Sequence, residues 1–442
     1  MLSLYIHIPF CASKCAYCSF NSTPTDYSDT IIDSYVEALK KEIDHYSETL
    51  TDKALKTLYF WWGTPSRIWS TRIIDIIEYI ATKFDLEDLA ELSIELNPYP
   101  EQEVLDFVKT LNKKYSKISR LRYSFGIQSF DDEILKLSWR SYSFSGIVEF
   151  LRSLVKYKQD NNVFNFDFIA FGKFQVSKNG HKQLRHAFKR EFLQRFLDSG
   201  YIDSISLYTL EGLKNKGIET RDEGVGISNT FQVPSTTSQR WFWSDDEIME
   251  EFLILKNMIE TAGFGRYEIS NFAQASKASI HNMVYRSMEP YIGIGVSAAS
   301  FLPMQNLESK VQNEIIKKHT WLNNSESYIL NSPLSRTSKF WTRWTNTWDI
   351  KKYIEGTRID ESTVHIMNES DILIEEFFLR LRTREGIADL SKFIPLLVPN
   401  HQWLLDIYVK EWLVVFDGNT LKLTNEGMNL SNTIITDLLQ TI

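Results

Sequence analysis

Short apolar runs alternate with longer stretches of helical period through the first half of the chain. The runs are Leu2–Ile8, Lys56–Trp62, Leu92–Leu96, Arg122–Gln128, Val163–Phe171 and Ser204–Leu210. Between them, Thr30–Ser47, Thr71–Phe84, Glu101–Leu111, Phe144–Lys158 and His181–Ser199 carry the periodicity of amphipathic helices. Such alternation predicts an α/β fold, with a parallel sheet and helices outside it. Six units suit a partial (β/α)6 barrel better than a closed eightfold one. Barrel enzymes keep their chemistry at the C-terminal ends of the strands.

The second half is less regular. From about Glu211 to Gln239 the chain is polar and rich in Gly, Ser and Thr, which predicts a loop or lid. A helix follows at Ser244–Ala262, with Ser244 as its N-cap and acidic residues in its first turn. Residues 301–369 show no clear period, and Trp321, Trp341, Trp344 and Trp348 predict a packed connector. Asp371–Arg382 and Gln402–Glu411 read as amphipathic helices. Leu413–Phe416 and Thr420–Leu423 flank Asp417-Gly418-Asn419, a strong hairpin signal. With a final helix at Asn425–Leu439, this end reads as a small α+β unit of winged-helix type. The expected division is a core barrel over 1–235, an extension and connector over 236–369, and a C-terminal domain over 370–442.

At 442 residues the chain can bury a large core. No apolar run reaches the roughly 18–20 residues of a membrane span. Met1-Leu2-Ser3-Leu4 leads straight into the first strand, without the pattern of a signal peptide. A net charge of −8, from 57 acidic and 49 basic residues, argues against a nucleic-acid partner. The 12 Trp, 20 Tyr and 28 Phe are mostly core packing.

Cysteine changes the picture. The only three are Cys11, Cys15 and Cys18, a C-x3-C-x2-C run directly after Tyr5-Ile6-His7-Ile8-Pro9-Phe10. Their scarcity suits a reducing cytoplasm. Three thiolates neither close a four-ligand zinc site nor pair off as disulfides. They can hold three irons of a [4Fe–4S] cluster and leave the fourth open. S-adenosylmethionine (SAM) is the ligand associated with this spacing, which points to cofactor-borne radical chemistry. A zinc site borrowing His7 is the competing reading, although His7 lies in a strand-like run that turns it inward. The strand ends add polar candidates. Gly63-Thr64-Pro65-Ser66 follows the second strand, where glycine allows close backbone approach. Glu95 ends the third, Gln128 ends the fourth, and Arg140 lies just beyond. Asp167 sits inside the fifth, where an unpaired carboxylate is costly. Each also has a structural reading: Glu95 as a helix cap, Arg140 in a surface ion pair, Asp167 paired with Arg140.

Taken together, these residues resemble the radical SAM group of oxygen-independent coproporphyrinogen III oxidase-like proteins, and within it the HemW-type haem chaperones. The resemblance runs through Tyr5–Cys11, Lys14–Cys18, Gly63–Ser66, Glu95–Pro98, Gly126–Phe130 and Asp167–Ile169 in order. It continues in Tyr267–Phe272, His281-Asn282, Tyr285, Tyr291–Gly295 and Leu381–Ile387. It implies a radical SAM barrel with a C-terminal winged-helix-like domain. By position it implies cluster ligation by Cys11, Cys15 and Cys18. It implies SAM contacts from Tyr5, Tyr17, Gly63, Thr64, Glu95, Gln128, Arg140 and Asp167. His281 is the candidate axial haem ligand, or else a structural histidine at a turn. The implied partners are haem or porphyrin, haem-acceptor proteins and a one-electron donor protein. The coproporphyrinogen dehydrogenases carry a further cysteine where this chain has Phe20, followed by Asn21-Ser22, which favours haem handling. Porphyrinogen oxidation and a cluster protein without SAM cleavage are the alternatives. The departures are specific. Trp61 and Trp62 replace two glycines, and Gly-Arg-x-His becomes Trp139-Arg140-Ser141-Tyr142. Ala298-Ala299-Ser300 replaces Ala-His-Ser, and Arg286 stands where tryptophan is expected.

Overall fold

A computed structural model describes residues 1–11, 15, 17–18, 21, 23–24, 28–62, 67–178, 181–186, 189–210, 245–307 and 341–439. All six expected strands form, with ends shifted by a residue at most: β1 (Leu2–Ile8), β2 (Leu55–Trp62), β3 (Glu91–Leu96), β4 (Leu121–Gln128), β5 (Asn162–Ala170) and β6 (Ser204–Thr209). They pair in parallel in sequence order. Tyr291–Ile294 (β7) continues the parallel run beside β1. The sheet is open. Short antiparallel strands extend both edges to a total of 12.

The strands alternate. Leu4, Ile6, Leu58, Phe60, Leu92, Ile94, Tyr123, Phe125, Phe164 and Phe166 form the main apolar core with the helices outside. The opposite face carries Ser3, Thr57, Ser93, Arg122, Ser124, Asn165 and Ser206, also buried. The covering helices are α1 (Asp29–Thr49), α2 (Arg67–Lys83), α3 (Glu101–Lys114), α4 (Asp132–Leu137), α5 (Phe144–Leu154) and α6 (Arg190–Leu197). Then come α7 (Asp245–Thr261) and α8 (Ile280–Arg286).

Three expectations are corrected. His181–Ser199 is not one helix: Lys173–Lys178 and His181–His186 pair as an antiparallel hairpin, and only Arg190–Leu197 is helical. The Asn179-Gly180 dipeptide between the two strands is the hairpin signal that the helical period masked. The connector is not merely packed loop, because Ala299–Pro303, Trp341–Thr345 and His365–Met367 prolong the sheet. The last helix is two, Asn425–Asn429 and Ser431–Leu438, which meet at the exposed Leu430. The expected lid at 211–239, the Ser244 cap and Trp321 lie outside the described residues. Near the C-terminus, Phe377, Leu381, Phe393, Leu405, Leu421 and Ile435 form a separate core. The hairpin expected around Gly418 is present there.

A second set of contacts fixes the edge of the core. Along α1, Ile32, Tyr35, Leu39, Ile43 and Tyr46 make a buried stripe at helical spacing, and Glu42 is buried among them. Glu42 Oε2 accepts from Gly295 N at 2.9 Å and Oε1 from Asn346 Nδ2 at 2.8 Å. The Tyr35 hydroxyl donates to His7 O at 2.9 Å and accepts from Val296 N at 3.0 Å. Gly295 has φ +105, and a Cβ there would stand 2.4 Å from His7 O and 2.7 Å from the Tyr35 oxygen. Gly295→Ala is therefore expected to destabilise the fold by about 3 kcal/mol, from backbone strain plus a rigid clash. Chemical denaturation of the variant checks this; an unchanged midpoint would contradict it.

Candidate functional site

A cavity of about 620 Å3 opens where the parallel strands end. Of the residues singled out above, Tyr5, Cys11, Cys15, Tyr17, Cys18, Glu95, Gln128, Arg140 and Asp167 line it. Gly63 and Thr64 lie outside the described residues.

The cysteine loop starts where β1 ends. Phe10–Cys11 pairs with Thr23–Pro24, and Cys18 N donates to Cys15 O at 3.1 Å, which makes a tight turn. Cys11 is buried, Cys15 and Cys18 are half-buried, and all three are unbridged. Among the described residues, no three His, Cys, Asp or Glu side chains gather as a single metal ion requires. His7 is engaged elsewhere. Its Nε2–H donates to Asn21 O at 3.2 Å, its Nδ1 accepts the Tyr5 hydroxyl at 2.9 Å, and its ring stacks on Trp61 at 4.9 Å. Burial pushes this imidazole down to about 4, so it is neutral.

The cavity lining is partly cationic. Arg140 donates from Nη1 to Asn97 Oδ1 at 2.7 Å and from Nη2 to the Tyr17 hydroxyl. Its guanidinium lies 5.7 Å from the Tyr17 and Tyr142 ring centres. Burial works against its charge, but Tyr142, Tyr17 and Cys15 hold it above its ordinary value. Its buried Nε has no hydrogen-bond partner among the described residues. Gly126 leaves room for this arrangement, since a Cβ there would stand 2.8 Å from Gln128 Nε2. The register slips between Gly126 and Gln128, and Gln128 takes φ +66, which re-aims its side chain.

Two buried acids, Asp167 and Glu95, line the cavity as well. Asp167 accepts from Ser124 at 2.9 Å and from Asn165 at 2.8 Å, rather than pairing with Arg140. Glu95 caps no helix; it accepts the Tyr59 hydroxyl. Burial, and then the charge of Asp167, pushes Glu95 up to about 8. Burial raises Asp167 as well, against the hydrogen bonds from Ser206, Ser124 and Asn165.

His281 lies off the cavity wall and is fully buried. Thr57 Oγ1 donates to Ser3 and accepts from His281 Nδ1–H at 2.7 Å. That leaves Nε2 to accept the Tyr285 hydroxyl at 2.7 Å. Both nitrogens are occupied, and the ring stacks on Tyr59 at 4.8 Å. Of the two readings given to His281, these contacts are those of a structural histidine. The bonds go to side chains rather than to backbone at a turn.

Sequence reasoning passed over Tyr59, Asn97, Arg122, Ser124, Ser206 and Tyr208, which also line the cavity. The signal was available. Arg122, Ser124, Gly126 and Gln128 occupy alternate positions of β4, as Tyr59 and Trp61 do on β2 and Ser206 and Tyr208 on β6.

The donor set fits a cluster with SAM beside it. Three unbridged cysteines line the cavity. Arg140 and the buried acids Glu95 and Asp167 line the same cavity, which suits a ligand bearing a carboxylate, an ammonium and ribose hydroxyls. The buried acids also predict a pH effect. A carboxyl raised on folding binds its proton more tightly in the folded than in the unfolded chain, so stability falls as pH rises between the two values. For Glu95 the window runs from 4.5 to about 8. Thermal melts of the ligand-free protein are expected to lose stability across it, and Glu95→Gln to flatten the slope; parallel curves would refute the assignment.

Comparison with known proteins agrees with this layout. Residues 5–175 match the Radical SAM superfamily. The haem chaperone HemW of Buchnera aphidicola from Schizaphis graminum is 27% identical over 297 residues, which is 67% of this chain and 69% of that one. HemW of the Acyrthosiphon pisum strain is 26% identical over 390 residues, 86% of this chain and 92% of that one. The solved structure of Escherichia coli coproporphyrinogen III oxidase (HemN), a radical SAM enzyme, matches 99% of this chain and 90% of its own. Its TM-score is 0.67 and its identity 19%, a likeness of fold.

Proposed function

We propose that the chain is a HemW/HemN-like radical SAM protein and, within that group, a haem-binding chaperone that delivers haem to acceptor proteins. In this reading Cys11, Cys15 and Cys18 hold a [4Fe–4S] cluster, and Tyr5, Tyr17, Gly63, Thr64, Glu95, Gln128, Arg140 and Asp167 hold SAM. It works in the cytoplasm, with residues 370–442 as a winged-helix-like domain. The observation that carries the cofactor assignment is one cavity lined together by the three cysteines, by Arg140 with Asn97, and by Glu95 and Asp167. Haem transfer is supported by the HemW relatives and by Phe20 in place of a further cysteine. Among the described residues no helix is long and apolar enough to cross a membrane.

When bound, the cluster and SAM supply one-electron chemistry. The protein's own part is placement. Arg140, held by Asn97 and stacked between Tyr17 and Tyr142, anchors a carboxylate. Glu95 and Asp167 accept from hydroxyl or ammonium groups, which lowers the cost of ionising them. Tyr5, Tyr59 and Trp61 keep the inner wall dry and aromatic.

Reconstituted protein under anaerobic conditions tests the reading. Wild type is expected to take up a full cluster and to bind haem that passes to an apo-acceptor, while Cys15→Ala loses the cluster signal. A full [4Fe–4S] spectrum in Cys15→Ala would overturn the cluster assignment. Protoporphyrinogen formed from coproporphyrinogen III over several turnovers would make the protein a biosynthetic enzyme instead. Trp61 gives the third reading a specific observation, because its indole lines the cavity at a position where the resemblance implies glycine. Trp61→Gly is expected to tighten SAM binding about tenfold by calorimetry. Equal affinity in the two proteins would show that the indole does not restrict the site.

A further inference from the structure

Arg286 stands at a position where the resemblance implies tryptophan, and it has a specific partner. From the last residue of α8 its Nη2 donates to Glu268 Oε2 at 2.7 Å. Glu268 is buried, and its other oxygen accepts from Ser270 N at 2.9 Å and from Asn271 Nδ2. One carboxylate therefore ties α8 to the turn at Tyr267–Asn271. Both segments carry cavity residues: Asn282 and Tyr285 on α8, Ser270 on the turn. Among the described residues, neither Glu268 nor Arg286 lines the cavity itself.

The same turn is the seam with the C-terminal unit. Glu268 forms an isolated antiparallel bridge with Thr383, and Arg384 N donates to Tyr267 O at 3.0 Å. Arg266, also buried, donates from Nε to Ile269 O at 3.0 Å and from Nη1 to Asn425 O at 3.0 Å and Asn429 Oδ1 at 2.8 Å. The helix Glu369–Arg380 packs on α8. The two segments that supply this part of the wall are thus held by the C-terminal unit as well as by each other. Stability accounts poorly for the ion pair at their junction. Desolvation offsets much of the attraction in a buried pair, and a well-packed apolar side chain at 286 would serve as well. What the carboxylate supplies, with donors from both segments, is a fixed relation between them.

We propose that Glu268 and Arg286 are positioning residues for the cavity, a latch through which the C-terminal unit sets how tightly the cavity holds its ligand. The proposal rests on the reading of the cavity as a SAM site. With the latch broken, α8 shifts relative to the turn, Asn282 and Tyr285 move relative to Ser270, and a ligand against this wall is held less tightly. Coupling between sites is reciprocal, so a ligand that orders the wall also tightens the hold of the C-terminal unit.

The experiment is calorimetric titration of SAM into the reconstituted full chain, with amide hydrogen exchange read on the same samples. It is run on wild type, Arg286→Gln, Arg286→Lys, Glu268→Gln and the double variant Glu268→Gln/Arg286→Gln. Arg343→Gln is the control, because it cuts the separate Arg343–Glu375 pair between the connector and the helix Glu369–Arg380. Arg286→Gln and Glu268→Gln should each weaken SAM binding about tenfold, a usual size for coupling between linked sites. The double variant should lose little more, as expected of two residues acting as one unit. Arg286→Lys should fall between wild type and Arg286→Gln, and Arg343→Gln should bind like wild type. In wild type, SAM should slow exchange at residues 380–387 as well as at 280–286. Equal affinities across the set would overturn the proposal. So would an Arg343→Gln protein as weak as Arg286→Gln, which would trace the effect to general loosening of the C-terminal unit, and so would protection by SAM confined to 280–286. A wild type that takes up a cluster and binds no SAM would show that the cofactor reading is wrong. The latch would then be decided in ligand-free protein, where Arg286→Gln should speed exchange at 280–286 and 380–387 together and unchanged exchange would overturn it as well.

Discussion

One face of every core strand is both polar and buried, so its hydrogen bonds have to be made inside the protein. The outer face is ordinary, with Leu4, Ile6, Phe60, Ile94, Phe125 and Phe166 against the helices. The inner face carries hydroxyls, amides and charges that cost several kcal/mol each if left unpaired. The structure meets this in layers. At the bottom, Glu91 accepts from Ser93, Ser279, Ile280 N and His281 N and is bridged to Arg120. In the middle, Arg122 donates to Ser204, Ser204 to Asn165, and Asn165 to Ser124, Ser206 and Asp167. At the top the supply runs short: the Nε of Arg140 is unmatched among the described residues, and Glu95 and Asp167 are raised. The cavity lies at this layer.

This layering explains what was legible in the sequence. The β-α alternation and the cysteine spacing depend only on local periodicity and residue type, and both could be read. So could the strand-end residues Glu95, Gln128 and Asp167, because a polar residue closing an apolar run stands out. The inner-face residues further back, such as Arg122, Ser124 and Tyr59, were passed over because they interrupt apolar runs singly. Only the knowledge that six strands share one polar face makes them a set. The basic hairpin was misread for a related reason: Leu184, Phe188, Phe192 and Phe196 keep a four-residue apolar interval, which outweighed the one Asn-Gly turn. The connector strands Ala299–Pro303 and Trp341–Thr345 are short edge strands whose pairing depends on β7, and no local pattern announces that.

The two buried histidines show why residue type alone cannot assign a ligand. His7 and His281 sit on the inner face, each bonded to a tyrosine that lines the cavity: His7 to Tyr5 at 2.9 Å and His281 to Tyr285 at 2.7 Å. Burial pushes both down to about 4. A neutral imidazole with both nitrogens engaged is a rigid spacer that fixes where a phenol hydroxyl points. In this arrangement each histidine supports the wall through its tyrosine. Coordination by either histidine would strip a partner from its tyrosine and leave a buried hydroxyl to be satisfied elsewhere.

The electrostatics of the cavity set a direction. Two guanidiniums line the cavity: Arg122 on β4 donates to Ser204 and works against the raised values of the carboxyls on β3 and β5, while Arg140 contacts Tyr17 of the cysteine loop. A ligand with both a carboxylate and positive charge therefore gains from one orientation and loses from the reverse, because each reversed contact would place like charges together in a buried site. Sidedness of this kind chooses between orientations more than it adds affinity, since desolvation offsets much of each attraction. The same reasoning limits Trp61. An indole carries no charge to oppose the sidedness, so its place in the wall alters the room available and leaves the preferred direction intact. The departure from glycine at this position therefore acts on how much of a ligand fits, while Arg140, Glu95 and Asp167 go on deciding which end of it faces the thiols.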